Sequence, residues 1–319
     1  MAILVGIDEA GFGPILGPLT VSSAVFSLDH ELLDSDLWHV LGKSVANKRK
    51  HLAGRLLICD SKKAYSKSLG IKHLERTVLA SLHYLGQNPG TLDELLQTLC
   101  PNCHKRLNGY PWYQKIEEHR ISSDLTDVEI AASVFADDMA SKNMRLVGLE
   151  SCCLDVEHYN KMVGSVKNKA TVLFSTTSAL IQQAYKKYGD DEVQIIVDRQ
   201  GGRVHYGRNL LRMFPEMELT ILKETPANSS YELKSGKRKM RIHFVVKADG
   251  RFLPAALASM VSKYLRELLV HNINRYFINL HSELKPTAGY WKDGSRFIKD
   301  IKSNIKPLNI DMNQLVRCR

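Results

Sequence analysis

Gly6-Ile7-Asp8-Glu9-Ala10-Gly11-Phe12-Gly13-Pro14 follows the apolar run Ile3-Leu4-Val5 and decides how the rest of the chain is read. The run reads as a buried strand that ends in a glycine-rich turn. Two adjacent carboxylates at such a strand end are costly unless a cation neutralises them. Side chains alternate faces along a strand, so Asp8 and Glu9 point to opposite faces in ideal geometry. A divalent metal beside the strand, met by one side chain directly and by the other around the strand end, offsets that cost. Gly11 and Gly13, flanking Phe12, let backbone N–H groups approach a ligand such as a phosphate or ribose. The plainer alternative is an acidic strand-to-loop edge that holds nothing.

Around this stretch, the 319 residues are 44% apolar and 24% charged, ordinary for a soluble globular protein. A net charge of +10 with 34 acidic residues present favours a polyanionic partner, nucleic acid first and an anionic membrane surface second. No apolar run approaches the ~20 residues that span a bilayer. The N-terminus lacks the basic region and cleavage site of a secretory signal, so the expected localisation is cytoplasmic. Six cysteines in a chain this long make no disulfide framework. Cys100-Pro101-Asn102-Cys103 has metal-ligand spacing, and Cys152-Cys153 could complete a zinc site. Adjacent cysteines rarely share one ion, however, and closed zinc sites show two well-spaced pairs, so ordinary reduced thiols are expected.

Along the chain, residues 19–28 alternate and are rich in β-branched side chains, and 55–59 form a second short apolar strand. A polar, helical excursion with a basic cluster at Lys48, Arg49 and Lys50 lies between them. Ile71, Leu74, Val78 and Leu82 have helical spacing. Residues 86–145 carry the breakers Asn88-Pro89-Gly90, Cys100-Pro101 and Gly109-Tyr110-Pro111-Trp112, and read as an inserted segment, partly irregular and partly helical. A strand at 146–154, a helix at 169–187 and a strand at 193–197 follow. Strands at 216–222 and 241–246, a hairpin around Asn228 and Gly236, and a helix at 254–271 complete the pattern. Alternating strands and helices after a β-rich beginning indicate an α/β or α+β fold around one mixed sheet.

Asp198 repeats the arrangement at Asp8, with a buried strand, an acid at its end and glycines beyond it. Asp249, in Lys247-Ala248-Asp249-Gly250, stands where the Val245-Val246 strand runs out. Four carboxylates on three strand ends suit hard divalent cations such as magnesium. Two ions about 4 Å apart would stabilise both the attacking water and the leaving oxygen of phosphodiester hydrolysis. The alternative is that turns favour Asp, and any one of these acids taken alone reads as structural. Lys234, Lys237, Arg238, Lys239 and Arg241 form a basic cluster near the Asp249 strand in sequence, either a solvated face or a contact for a nucleic-acid backbone. Tyr110, Trp112 and Tyr113 either stack on bases or form a satellite core.

These residues together resemble the ribonuclease HII family, the type 2 ribonucleases H. Residues 6–14 look like its opening motif, glycine-x-Asp-Glu-alanine-glycine-Arg-glycine-proline, and Gly17-Pro18 extends the match. Asp60-Ser61-Lys62-Lys63, the stretch Glu157-His158-Tyr159-Asn160, and Val197-Asp198 are similar to further family segments. Lys247-Ala248-Asp249, the run 258–267 and Gly289-Tyr290 are similar to others. Residues 30–54 and 86–145 fall outside the resemblance. It implies an α/β fold, an RNase H-like mixed β-sheet flanked by helices, as a single catalytic domain over 1–319. A C-terminal segment, 272–319, would bring Tyr290 to the substrate.

The resemblance further implies Asp8, Glu9, Asp198 and Asp249 as catalytic and metal-binding carboxylates for Mg2+ or Mn2+. Gly11, Phe12, Gly13, Ser61, Lys62 and Tyr290 would contact substrate, with Lys62 and Ser61 near a phosphate and Tyr290 stacked on a sugar. The partner implied is an RNA–DNA hybrid or DNA containing ribonucleotides, the substrates of an endonuclease of replication and repair. Phe12 stands where the family has Arg or Lys, and it offers a ring face in place of a donor. The N–H groups of Gly11 and Gly13 then remain for ribose contacts. Glu267 replaces the Asp that follows Arg266, which keeps the charge and adds a methylene. Two alternatives stay open: a nuclease with altered substrate choice, without junction specificity or acting on structured DNA, and a nucleic-acid-binding protein that has lost catalysis.

Overall fold

The computed structural model describes residues 1–65, 69–121, 124–305 and 310–318, of which 303–305 by their backbone alone. Its strands are β1 (Ala2–Ala10), β2 (Leu19–Leu28), β3 (Val45–Ala46), β4 (Leu56–Leu57) and β5 (Arg145–Leu154), then β6 (Glu192–Asp198), β7 (Glu218–Glu224), β8 (Asn228–Ser235) and β9 (Arg238–Val245). Seven of them form one mixed sheet in the order β5-β2-β1-β6-β9-β8-β7, flanked by helices, while β3 and β4 pair separately. β1, β6 and β9 run parallel to one another, and β2, β5, β7 and β8 pair antiparallel to their neighbours.

The period-2 alternation of β1 and β2 builds two cores, one on each face of the sheet. Leu4, Ala24 and Phe26 pack with Leu257, Val261 and Leu265 of the long helix Leu253–Leu280. Ile3, Val5, Ile7, Val21 and Val25 pack with Leu173, Leu180 and Ile181 of the helix Lys169–Tyr188. Gly6 lets the first of these helices sit directly on β1, because a Cβ there would lie 2.0 Å from the carbonyl carbon of Pro254. The polar side chains buried between this helix and the sheet bond one another. Ser262 Oγ donates to the Asp8 carbonyl at 3.0 Å and bonds Ser22 Oγ at 2.8 Å, and Thr20 Oγ1 donates to the Ser262 carbonyl at 2.8 Å.

Several expectations shift. The apolar stretch 55–59 contributes only the two-residue β4, parallel to β3. Asn228, expected in a hairpin, begins the full strand β8, and the turn lies at Gly236 with φ +58°. The helix expected to end at residue 271 continues to Leu280. Its later residues, Asn272-Ile273-Asn274, are weak helix formers, but Ile273 and Phe277 bury one face there, with Phe277 at 5.6 Å from the Phe297 ring. Among the described residues of 86–145, three α-helices form: Leu92–Leu99, opened by a Thr91/Glu94 capping box, then Pro101–Leu107 and Leu125–Ala140. Tyr110, Trp112 and Tyr113 are buried, and the Trp112 ring lies 6.0 Å from Phe277, so these aromatics belong to the core and do not face a base.

Candidate metal centre

Because β1, β6 and β9 are parallel, their carboxyl ends open at the same edge of the sheet, the usual place for a ligand crevice in α/β proteins. Ile7 pairs with Val197 and Asp198 with Val245. Asp8 and Asp198 therefore stand one step beyond the same register position on neighbouring strands. One carboxylate oxygen from each of Asp8, Glu9 and Asp198 lies within 4.8 Å of the others. Among the described residues, no other group of three or more His, Cys, Asp or Glu side chains is close enough to share an ion.

Asp249 reaches the site by a different route. Asp198 Oδ1 accepts the Ala248 N–H at 2.7 Å, and Lys247 takes the left-handed conformation with φ 55°. The chain thereby turns into the short 3-10 helix Ala248–Gly250 that carries Asp249. Asp249 lies outside the tight trio, yet near enough for Asp198 to raise its pKa.

The electrostatics show what this arrangement lacks. Burial, then the charges of Glu9 and Asp198, hold the Asp8 carboxyl well above its ordinary range. Burial and Asp198 push Glu9 up to about 7. Asp198 is also raised, chiefly by burial, and Asp249 is pushed up to about 6 by burial and then by Asp60 and Asp198. The Lys62 ammonium opposes the shifts of Glu9, Asp198 and Asp249 but does not cancel them. More negative charge is gathered here than the protein's own cations offset.

Lys62 is placed by the short helix Ser61–Ala64, whose N-cap Asp60 accepts the Lys62 N–H at 2.9 Å. Ser61 is buried, and its Oγ accepts a hydrogen bond from Ser259 at 3.0 Å. Asp60 is a fifth carboxylate of this neighbourhood that the sequence supplied only as part of a motif. Its signal was available, since it too follows a short apolar run, Leu56-Leu57-Ile58.

The glycine-rich turn lies beside these acids. Gly11 has φ +93°, and a Cβ there would meet the Arg266 side chain and the Pro18 carbonyl at 2.7 Å. Gly13 is open. Phe12 is half-buried against the core under the Lys169–Tyr188 helix, with Lys169 Nζ 5.2 Å from its ring centre. Gly289 O accepts the Ile15 N–H at 2.8 Å, which fastens Gly289-Tyr290 to the same turn; the Tyr290 ring is half-exposed, 5.9 Å from the Arg266 guanidinium carbon.

Beneath the turn lies Arg317, buried, donating to Gly11 O at 2.5 Å and also to Pro14 O. Asn160 ties down the segment that carries it, donating to the Val316 carbonyl at 2.9 Å and accepting the Cys318 N–H at 2.7 Å. Nothing local in the sequence marks Arg317, because its partners lie some three hundred positions away.

Two other clusters are placed elsewhere. All six cysteines are free thiols, and Cys100, Cys103 and Cys153 are buried between the Pro101–Leu107 helix and β5. The basic cluster near the Asp249 strand in sequence is remote from Asp249 in space. β9 starts at Arg238 and ends at Val245, so its cations occupy the far end of the sheet. Four of the cluster's five cations are also engaged: Lys234 with Glu232 at 2.8 Å, Arg241 with Glu232 at 3.0 Å, Lys239 with Glu192 at 3.5 Å, and Arg238 with Asp190 at 2.6 Å, while Lys237 at the hairpin turn makes no ion pair among the described residues.

No protein-family model and no curated protein matches the chain. Among solved structures, it is similar to the RNase HII of a PCNA:RNase HII complex from Archaeoglobus fulgidus, at 17% identity and TM-score 0.47, over 99% of this chain and 94% of that one. It is similar to Aquifex aeolicus RNase H3 at 15% identity and TM-score 0.43, over 98% and 71%. It is also similar to Bst-RNase HIII in complex with Mn2+, at 14% identity and TM-score 0.46, over 99% and 66%.

Proposed function

We propose that this chain is a divalent-metal-dependent endonuclease that hydrolyses the RNA strand of RNA–DNA hybrids, or ribonucleotides embedded in DNA. The observation that carries this is the under-neutralised trio Asp8, Glu9 and Asp198, with oxygens within 4.8 Å and Asp249 alongside. The donor set fits Mg2+ or Mn2+: all oxygen, anionic, and held on strand ends packed by a helix. Asp8, Glu9 and Asp198 would hold the metal, with Asp249 available to a second ion. Bound there, divalent ions supply Lewis-acid stabilisation of the reacting phosphodiester and a more acidic water.

The other side chains divide the remaining work. Lys62 offers a cation to a substrate phosphate at the same edge. The N–H groups of the Gly11–Gly13 turn approach the ribose, where a 2′-hydroxyl distinguishes RNA from DNA. The Tyr290 ring offers a half-exposed apolar face for a sugar. Arg266 and Arg317 hold the turn from beneath. A net charge of +10 draws a polyanion to this surface despite the local acids.

Phe12 favours a second reading on substrate choice. Its half-buried ring donates no hydrogen bond, which leaves only main-chain donors in the turn and suits cleavage of continuous hybrids without a junction requirement. The test offers three duplexes with Mg2+ or Mn2+: DNA with one embedded ribonucleotide, a continuous RNA–DNA hybrid, and plain DNA. Cleavage of the first or second, abolished by Asp8→Asn, is expected, and the preference between them sets the role of Phe12. Tight binding without cleavage under either metal would overturn the proposal.

A further inference from the structure

We propose that the loop joining β3 to β4, residues 47–55, is a second nucleic-acid contact that grips the duplex backbone beside the cleavage edge. It rests on the nuclease reading above and adds a surface outside the carboxylate site. Asn47, Lys48, Arg49, Lys50 and His51 are consecutive and all exposed. Lys48, Lys50, His51 and Arg55 make no ion pair among the described residues, unlike Lys234, Arg238, Lys239 and Arg241 of the β8–β9 hairpin. Beside them is a hollow of about 510 Å³ lined by Trp38, His39, Asn47, Lys50, His51 and Arg55, with Asp36 as its carboxylate. A polar hollow with unspent cations and an indole on its wall suits phosphates and sugars better than an apolar ligand.

The loop is rigidly mounted. Arg76, held by Asp127 at 2.6 Å, donates to the carbonyls of Arg55 at 2.8 Å and Gly54 at 2.9 Å. Asp138 accepts the Ser44 N–H at 2.9 Å and its hydroxyl at 2.8 Å. It is also fastened to the catalytic edge: Arg49 Nη2 donates to the Lys63 carbonyl at 2.7 Å and to the Ala64 carbonyl at 3.0 Å. These carbonyls end the short helix that carries Lys62, so a duplex with a phosphate at Lys62 has this loop as its neighbour. A pre-set loop loses little conformational freedom on binding, and its cations release counterions from the duplex.

The experiment compares the full-length protein with the triple variant Lys48→Gln, Lys50→Gln, Arg55→Gln, which leaves Arg49 in place. Dissociation constants are measured on a continuous hybrid against salt, and on anionic vesicles and an acidic peptide in parallel, alongside cleavage of the hybrid at saturating substrate. The variant is expected to bind about tenfold more weakly, with the slope of log K against log salt shallower by about 2 to 3, while kcat stays unchanged. Lys48→Arg with Lys50→Arg keeps wild-type affinity and slope, which separates charge from fold. Equal affinity and slope in triple variant and wild type would overturn the proposal while cleavage by both leaves the nuclease reading intact. So would an affinity loss confined to anionic vesicles or an acidic peptide. If the wild type cleaves none of the duplexes, the nuclease reading is what has failed.

Discussion

The two ends of the central sheet carry acids in opposite conditions. At the carboxyl ends of β1 and β6, Glu9 is pushed up to about 7, and Asp8 and Asp198 are raised with it. At the other end, Lys234, Arg241 and Lys239 hold Glu232 down at about 2. Both ends belong to one sheet in one basic chain, so net charge does not separate them. Local compensation does. Acids already matched by cations serve the fold, whereas acids gathered without enough cation have a use for one from outside. The same test separates the cations, since Lys234 and Lys239 are spent on glutamates and Lys48 and Lys50 are not.

The largest expected effect comes from the uncompensated end. Asp8→Asn keeps the shape, removes one charge, and should lower metal-dependent cleavage about a thousandfold in a single-turnover assay. Next comes stability without metal. Glu9 has a folded pKa of about 7 against an ordinary 4.5, so the native state holds a proton that the unfolded chain has lost between these values. That contribution is fully present below 4.5 and lost as the pH rises to about 7. Glu9→Gln should therefore raise the Tm of metal-free protein above about pH 7, by up to about 3 kcal/mol of stability, with little change near pH 4. A Tm that responds equally at both pH values would break the contrast between the two ends.

Substrate choice gives a smaller change. Phe12→Arg places a donor in the glycine turn and should shift cleavage toward the embedded ribonucleotide about tenfold over the continuous hybrid, read from paired kcat/KM values. The smallest effect belongs to the compensated end. Glu232, with its folded pKa depressed to about 2, contributes stability above the ordinary 4.5 that is lost as the pH falls toward 2. Glu232→Gln removes the shared partner of three partly exposed cations, Lys234, Lys239 and Arg241, and should cost a few degrees of Tm at neutral pH, at about 1 kcal/mol or less per pair, and leave cleavage unchanged. A loss of cleavage there would place function at the wrong end of the sheet.

How far the sequence shows this follows from the range of each interaction. β1, β2 and β6 are legible because alternation and short apolar runs are local signals. Asp8 and Asp198 are legible because each closes such a run. The β8–β9 cations mislead for a physical reason: residues adjacent to a site in sequence can be a whole strand away. From Arg238 to Val245 the extended chain covers about 23 Å. Arg317 lies at the other extreme, silent in sequence because only the folded chain brings it under Gly11 and Pro14. The extension of the long helix to Leu280 is likewise set by the rings around Phe277, not by propensity.

The central claim is that the Asp8 end of the sheet is built to receive a divalent cation. Titration calorimetry with Mn2+ near pH 7, repeated in buffers of different ionisation enthalpy, tests it directly. Saturable binding that releases protons, as carboxyls held above their ordinary range must when a cation arrives, and that Asp8→Asn weakens at least tenfold, is the predicted result. Absence of binding, or binding that Asp8→Asn leaves unchanged, would contradict the account.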